Sequence, residues 1–298
     1  MRIGVDLGGT KIEAIALDET GAELLRRRRP TPAGDYAATV ATVAALVGDL
    51  ERATGRRARV GIGTPGSPSP ASGLIRNANS VCLNGRPLRQ DLEDALGRPV
   101  RLANDADCFA LSESVDGAAA GAASVFAVII GTGTGGGIVI HGRLVSGPNA
   151  IAGEWGHNPL PWPRPDEIPG PACYCGRRGC IETFLSGPGL AGDFERASGR
   201  RLDPPALVEQ ADGGDADAEA ALARYEDRLA RGLASVVNIL DPEVIVLGGG
   251  MSNIRRLYAG VPARWGAYAF SDVVRTRLVP PRHGDASGVR GAAWLWPA

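Results

Sequence analysis

The sequence has little of what marks nucleic-acid-binding, membrane or exported proteins. Its formal net charge is −1 over 298 residues, so no excess of positive charge indicates a nucleic-acid or membrane surface. No apolar run reaches the roughly 18 residues that a membrane-spanning helix needs. Strand-like residues follow the first methionine at once, where a signal peptide would carry its apolar core. We therefore expect a cytoplasmic protein that binds neither nucleic acid nor membrane.

Lysine and cysteine are both scarce, and their positions matter more than their number. Lys11 is the one lysine among 32 basic residues. A genomic preference for arginine codons accounts for the scarcity, but not for the place of Lys11 in a glycine-rich turn. Of the five cysteines, three fall within 173–180. An odd, clustered set in a chain without an export signal favours metal binding over disulfides.

The N-terminal apolar pattern predicts a small sheet followed by a helix. Residues 2–7 and 12–17 read as strands on either side of the turn GGTK, which is a hairpin signal. Apolar residues then recur at helical spacing over 36–53. Asp35 suits the N-cap of this helix and Gly55 its C-terminal end, since each residue type is favoured at that position.

The same arrangement returns later in the chain. A strand at 124–130, the run GTGTGGG and a strand at 138–140 repeat the order of strand, glycine turn and strand. Such an internal repeat indicates a second domain of similar design. We therefore predict an α/β protein with an N-terminal domain at 1–116, joined by a C-terminal helix at 286–298, and a C-terminal domain at 117–285.

The turn from Asp6 to Lys11, DLGGTK, suits phosphate binding. Glycines let backbone N–H groups approach phosphate oxygens, and a hydroxyl or an ammonium group adds contacts. The spacing is not that of a Walker A loop, and the turn leads to a strand rather than to the helix of a dinucleotide fingerprint. An ordinary hairpin turn remains the alternative.

Two further glycine clusters also suit nucleotide binding. Gly131–Gly137 has five glycines in seven positions, which is costly unless the backbone must approach something closely. Because it lies at the equivalent place in the repeat, it would clamp a triphosphate together with the first turn. Gly248–Gly250 follows a strand at 244–247 and opens a helix, a place that can bind a nucleoside. A plain strand-to-helix turn is the alternative for this third cluster.

Asn104 and Asp105 end a predicted strand at 100–103. A carboxylate in that position can project into a cleft and serve as a general base. The alternative is that Asp105 only caps the predicted helix at 106–116.

The stretch 153–182 carries the most specific pattern in the chain. His157, Cys173, Cys175 and Cys180 combine one imidazole with three thiolates in the spacing C-x-C-x4-C. This set matches a closed, four-coordinate zinc site, which is structural rather than catalytic. A disulfide or incidental cysteines are the alternatives. Glu154, His157 and Glu182 are polar groups that suit a polyhydroxylated substrate.

Taken together, the motifs resemble those of the ROK family of sugar kinases. DLGGTK, GIGTPG, NDADC, GTGTGGG, GEWGH, CYCGRRGCIE and VIVLGGGMSN occur in the family's order over nearly the whole chain. The wording VDGAAAG, GEWGHNPLPW and SGVRGAAWLWP looks most like bacterial fructokinases of the mannofructokinase type, with N-acetylglucosamine kinases next. The resemblance implies the two-domain, actin-like (ribonuclease H-like) ATPase fold, with an interdomain cleft and a zinc-binding loop at 153–182.

The resemblance also implies an activity: ATP-dependent phosphorylation of a hexose at its 6-hydroxyl. D-Fructose is the leading substrate; N-acetylglucosamine, N-acetylmannosamine, glucose and mannose are the alternatives. A homodimer and a Mg²⁺ ion close to Asp6 are implied as well. A sugar-sensing regulator of the same family is a remote alternative. Such proteins carry a DNA-binding segment before the kinase-like part, whereas here the first strand is expected from residue 2.

Site residues carry over position by position from the same resemblance. Asp105 would be the catalytic base. The sugar would be held by Gly66, Asn79, Asn104, Asp105, Glu154, His157 and Glu182, and zinc by His157, Cys173, Cys175 and Cys180. ATP would be held by Gly4, Asp6, Gly8, Gly9, Thr10, Lys11, Gly131, Thr132, Gly133, Thr134, Gly135, Gly248, Gly249 and Gly250. One departure is NDAD where many members read NDAN, which adds a charge at Asp107 but leaves Asp105 intact.

Overall fold

A computed structural model describes residues 1–296 of the chain. These residues form two compact units. Unit 1 comprises 1–121, 137–152 and the described residues from Arg282 onward, and unit 2 comprises 122–136 and 153–281. Residues 137–152 thus belong to unit 1, and the predicted boundaries at 116 and 285 stay a proposal. Within the described residues, no helix is long and apolar enough to cross a membrane.

Several strands coincide with the predicted apolar segments, and others were not predicted. They are β1 (Arg2–Leu7), β2 (Lys11–Leu17), β3 (Glu23–Pro30), β4 (Arg59–Thr64), β5 (Ser67–Pro68), β6 (Ile75–Arg76), β7 (Val100–Asn104), β8 (Ser124–Ile130), β9 (Thr134–Ile140), β10 (Arg143–Leu144), β11 (Val244–Gly248) and β12 (Arg277–Val279).

The helices include several that the apolar pattern did not predict. They are α1 (Tyr36–Thr54), α2 (Leu88–Leu96), α3 (Asp105–Val115), α4 (Ile181–Leu185), α5 (Gly187–Ser198), α6 (Pro204–Asp212), α7 (Ala216–Leu240), α8 (Leu257–Gly260) and α9 (Ser287–Trp294). Of the helix predicted at 286–298, residues 297 and 298 lie outside the described part of the chain.

The two larger sheets have equivalent orders of strands. The first is β3-β2-β1-β4-β7 and the second is β10-β9-β8-β11-β12. In the first, β1 pairs antiparallel with β2 and parallel with β4, and β4 pairs parallel with β7. In the second, β11 pairs parallel with both β8 and β12. This equivalence agrees with the internal repeat seen in the sequence.

The core of unit 1 lies between its sheet and helices α1 and α2. Ile3, Val5, Val47 and Leu50 are fully buried there. The cap of α1 is the predicted one, because the Asp35 side chain accepts from the backbone N–H of Ala38 and Gly55 adopts φ 66° after the helix. The amphipathic pattern therefore places α1 against the sheet with its bounds correctly foreseen.

Helix α9 packs directly on the other face of the same sheet. A Cβ at Gly4 of β1 would overlap the carbonyl oxygen of Val289, and one at Gly61 of β4 would overlap that of Ala292. Gly291 likewise makes room for the carbonyl of Cys108 in α3. These glycines are explained by the close approach of backbone to backbone.

Candidate functional site

Asp105 stands at the first position of α3, directly after β7. The capping residue is Asn104, whose side chain accepts from the N–H of Ala106 at 2.8 Å. The alternative role of Asp105 as the cap is therefore wrong, although its Oδ1 also accepts from the N–H of Ala106 at 2.8 Å. Asn104 also donates from Nδ2 to the carbonyl oxygen of Gly66 at 3.3 Å.

Asp6 and Asp105 act on each other electrostatically. Burial raises the pKa of Asp6 to about 6, with help from the charges of Asp105 and Glu13 and against the opposing effect of Lys11. Gly288 of α9 lies beside the same carboxylate, since a Cβ there would be 3.6 Å from Asp6 Oδ2. Two carboxylates that destabilise each other's charge suit a bound cation, which relieves the repulsion.

The glycine turn between β1 and β2 is tied together by its own backbone. The N–H of Gly8 donates to the carbonyl of Lys11 at 3.1 Å, and Thr31 donates from Oγ1 to the carbonyl of Gly8 at 2.7 Å. Gly9 and Thr10 are exposed at the tip. Lys11 lies 3.6 Å from the buried carboxylate of Glu13. The exposed tip leaves this turn open to a ligand.

Gly66 and Asn79 belong to the loop that follows β4. Gly66 has φ 72°, and a Cβ there would lie 2.7 Å from the backbone nitrogen of Ala78, so only glycine fits. Asn84 closes the loop by exchanging two hydrogen bonds of 2.9 Å with the backbone of Ala78. Asn79, next to Ala78, is exposed.

The second glycine run is only partly a loop. Residues 131–133 form the turn, and β9 already begins at Thr134, four residues earlier than the predicted strand at 138–140. Gly136 lies within β9, and a Cβ there would be 3.0 Å from the Phe126 ring. Close packing therefore explains Gly136, while Gly131, Thr132 and Gly133 form the turn itself.

Glu182 fastens this turn to the stretch 153–182. Its Oε2 accepts from the backbone N–H of Thr134 at 2.8 Å, and its own N–H donates to the carbonyl of Gly156 at 2.9 Å. A Cβ at Gly133 would lie 2.8 Å from the same carboxylate. Gly135 follows within β9. From the sequence, the predicted phosphate-binding turn and the predicted sugar-binding residues of 153–182 were separate features. Glu182 connects them.

The third glycine cluster ends β11 rather than opening a long helix. Gly248 is the last residue of the strand, Gly249 has φ 76°, and Gly250 begins a single 3-10 turn that ends at Asn253. Gly249 and Gly250 are exposed, so their backbone is open to a ligand.

The predicted metal ligands do come together. Single ligand atoms of His157, Cys173, Cys175 and Cys180 all lie within 4.8 Å of one another. The sulfur atoms of Cys175 and Cys180 are 3.7 Å apart, and His157 Nδ1 is 3.5 Å from Cys173 Sγ. Tetrahedral zinc with bonds of about 2.3 Å to sulfur and about 2.0 Å to nitrogen requires separations of about 3.8 Å and about 3.5 Å. The donor set therefore fits zinc.

The backbone around the cluster, residues 157–181, forms a loop whose two ends are paired by hydrogen bonds; we call this loop the knuckle. The N–H of Cys173 donates to the carbonyl of Arg177 at 2.8 Å. Leu160 donates to the carbonyl of Gly179 at 3.0 Å and Ile181 to that of Asn158 at 2.9 Å. These bonds hold the chain near His157 against the chain near Cys180, which brings distant ligands into register.

Sequence reasoning missed a second anchor of the same stretch. Glu167 is buried and accepts from Arg228 and Arg231 of α7 at 2.7 Å each. Burial alone would raise the pKa of Glu167, but the bonds from Arg231 and Arg228 hold it at about 2. Arg231 also donates to the carbonyl of Trp162 at 2.8 Å. The only signal in the sequence was the arginines of α7. By their helical spacing alone, these residues would be expected on a solvent-exposed face of the helix.

Sequence reasoning also missed Tyr174. Its hydroxyl lies 2.8 Å from Nε2 of His157, and its side chain is 83% exposed. The charges of Glu182 and Glu154 act on this hydroxyl, so the carboxylates assigned to the sugar lie close to it. Glu154 itself is exposed.

Comparison with known proteins relates the whole chain to sugar kinases. The sequence profile of the ROK family matches residues 2–298. An N-acetyl-D-glucosamine kinase of Yersinia enterocolitica is 38% identical over 299 residues, which is 99% of each chain. A ROK hexokinase from Thermus thermophilus aligns with a TM-score of 0.87 and 35% identity over 98% of this chain and 96% of that one.

A ROK glucokinase from Streptomyces griseus, solved in complex with glucose and AMPPNP, aligns with a TM-score of 0.77. The two sequences are 28% identical, and the alignment covers 99% of this chain and 98% of the glucokinase chain. The predicted two-domain α/β fold of these kinases is thereby confirmed.

Proposed function

Because the protein belongs to the ROK family and is a sugar kinase within it, we propose that it transfers the γ-phosphoryl group of ATP to the 6-hydroxyl of N-acetyl-D-glucosamine. The sequence favoured D-fructose and kept N-acetylglucosamine as an alternative. Relatives of similar length that are named N-acetyl-D-glucosamine kinases support the alternative, and fructose is not confirmed.

The observation that carries the proposal is the position of Asp105. It begins α3 immediately after β7, and its charge acts on Asp6 at the end of β1. A carboxylate placed in this way serves as the base that takes the proton of the attacking hydroxyl. Phosphoryl transfer otherwise needs positioning and charge neutralisation rather than covalent chemistry.

The remaining residues hold the two substrates. Gly66, Asn79 and Asn104 would contact sugar hydroxyls, as would Glu154, His157 and Glu182. The turn from Asp6 to Lys11 would hold ATP phosphates with Mg²⁺ close to Asp6. Further ATP contacts would come from two turns, 131–135 and 248–250.

Zinc would act structurally in this arrangement. His157 and the three cysteines would supply all four ligands of a closed site, which would leave no open position for a catalytic water. The ion would fix the knuckle on which His157 and Glu182 depend. The homodimer and the cytoplasmic location remain expectations from the sequence.

A panel of sugars tests the proposal directly. The purified protein, with ATP and Mg²⁺, is assayed for ADP release on N-acetylglucosamine, N-acetylmannosamine, glucose, mannose and fructose, and kcat/KM is compared. We expect N-acetylglucosamine to have the highest value. A higher value for fructose would restore the first interpretation, and absence of ADP release with every hexose would refute the kinase assignment.

A further inference from the structure

Both ring nitrogens of His157 are engaged. Nδ1 faces the thiol cluster, 3.5 Å from Cys173 Sγ. Nε2 lies 2.8 Å from the hydroxyl of Tyr174, and the two rings meet edge to face with centroids 5.0 Å apart and an angle of 84°. A histidine that ligates a metal through one nitrogen carries its hydrogen on the other. Nε2 would therefore donate to the phenol oxygen.

A sugar hydroxyl that binds His157 needs that same hydrogen. The imidazole has one N–H to donate once Nδ1 is a ligand, and Tyr174 already accepts it. The substrate oxygen and the phenol oxygen cannot both occupy this position with good geometry. Binding of a sugar at His157 thus requires that the Tyr174 hydroxyl move away.

Tyr174 is placed so that it can move. Its side chain is 83% exposed, so a displaced phenol stays hydrated and little is lost beyond the one hydrogen bond. Its backbone is held on both sides by the knuckle, because the neighbouring Cys173 and Cys175 are members of the cluster. The ring can therefore turn about its own side-chain bonds without disturbing the ligands.

From this geometry we propose that Tyr174 is a specificity-determining residue that competes with the sugar for the N–H of His157. Only a sugar with a hydroxyl suitably placed to accept from Nε2 displaces the phenol, and sugars without such a hydroxyl leave it in place. The competition therefore limits the preference of the site for sugars that use His157. The inference rests on the proposed function, because it assigns a selective role to the same sugar site. It also gives a reason for a tyrosine between two metal-ligand cysteines.

The test is Tyr174→Phe in the full-length, zinc-loaded protein. The ring and its edge contact remain, but the competing hydroxyl is gone. Removal of one net hydrogen bond should lower KM for the preferred sugar about two- to tenfold. The values of kcat, KM for ATP and zinc content should not change. Discrimination in favour of sugars that use His157 should widen, because the other sugars leave the phenol in place and gain nothing from its loss. Tyr36→Phe is the matched control, because Tyr36 bonds Asp91 in unit 1 and its loss should leave KM for the sugar unchanged.

An unchanged KM for the sugar in Tyr174→Phe would overturn the proposal. A higher KM would overturn it too, because it would show that the Tyr174 hydroxyl contacts the sugar directly. A second measurement does not depend on the variant. The chain has three histidines, so the ring nitrogens can be assigned by long-range ¹H–¹⁵N NMR of the wild type. The His157 Nε2 resonance should shift on saturation with the sugar, and no shift would refute the exchange.

These outcomes are separable from failure of the proposed function. The kinetic comparison uses whichever hexose the wild type phosphorylates best, so a wrong sugar in the panel does not decide it. The NMR measurement needs binding only and is independent of turnover.

Discussion

Two neighbouring residues at the start of α3 differ in role: Asn104 caps the helix, and Asp105 is the proposed base. Asn104 takes the N-cap position, and Asp105 follows it with a charge that acts on Asp6. The sequence left open whether Asp105 capped the helix or served as a base. Because the cap is supplied by Asn104, the carboxylate of Asp105 is not required for it.

Asp105→Asn should abolish most turnover without abolishing binding. An amide keeps the size and the hydrogen-bonding oxygen but cannot take a proton, so kcat should fall about 10²- to 10⁴-fold. Calorimetric titration should still detect the sugar and a non-hydrolysable ATP analogue. Asp107→Asn, two residues along the same helix, is the control and should retain most of the activity. Near-normal kcat in Asp105→Asn would remove it as the base.

Asp6 should make the fold less stable at neutral than at acidic pH. Its pKa in the folded protein is about 6, raised from an ordinary value of 3.8. Its contribution to stability is therefore full below pH 3.8 and is lost as the pH rises through 6. In the absence of nucleotide and metal, Asp6→Asn should raise the free energy of unfolding by about 1–2 kcal/mol at pH 8, allowing for partial exposure.

Denaturant unfolding of the wild type and Asp6→Asn at pH 4.5 and pH 8 measures this. The gain should shrink at the lower pH, where the folded wild type already holds the proton. Asp105→Asn, which removes one of the charges that raise this pKa, should reproduce part of the gain. Equal effects at both pH values would contradict the buried charge as the cause.

The helix α7 and the segment before His157 depend on one glycine. Glycine lowers helix propensity, so Gly232 should weaken the long helix α7. In the structure a Cβ at Gly232 would lie 2.7 Å from the Trp155 ring, and Trp155 donates from Nε1 to the carbonyl of Gly232 at 3.1 Å. The loss of helix propensity is thus offset by the packing and the hydrogen bond of the buried Trp155, which lies two residues before His157.

Gly232→Ala should therefore destabilise the protein despite the better helix propensity of alanine. The added methyl group forces the indole away, which typically costs about 1–3 kcal/mol. Gly192→Ala in α5 is the matched control, because its Cβ would meet only the flexible end of Arg196, at 3.2 Å. That variant should be neutral or gain up to about 1 kcal/mol. Thermal unfolding of the pair measures the difference, and equal melting temperatures would argue against a fixed seat for Trp155.

The stretch 153–182 has two anchors of different chemistry. The proposed zinc site would hold the parts around His157 and Cys180, and the buried Glu167 holds the middle to α7 through Arg228 and Arg231. Because the ion-pair anchor does not involve the metal ligands, loss of metal should loosen only part of the stretch. The turns proposed to hold the nucleotide, Asp6–Lys11 and Gly248–Gly250, lie outside this stretch.

Removal of zinc should accordingly weaken sugar binding before ATP binding. After chelation, with metal content checked by elemental analysis, we expect the sugar Kd to rise about tenfold or more. The Kd of a nucleotide analogue should change much less. Reloading with zinc should restore the sugar affinity. A parallel loss of both affinities would mean that the metal supports the whole fold instead.

Local signals foresaw much of the architecture. Helix α1 was bounded by Asp35 and Gly55 because capping preferences act within a few residues. Helices α5 and α6 were missed although their signals were present: Ser186 and Asp203 accept from the N–H groups of Gly189 and Ala206, and a proline stands in the first turn of each helix. These errors lay in the interpretation of short motifs.

Residue types and their order along the chain were sufficient for the family, the α/β class and the four candidate metal ligands. These features depend on local spacing and on chemistry carried by single side chains. The use of Gly4 for packing on α9, the bond from Glu182 to Thr134 and the pairing of Tyr174 with His157 depend on distances between residues far apart in sequence or facing across a folded loop. Only the tertiary structure decides such distances, because they result from how all the elements pack together.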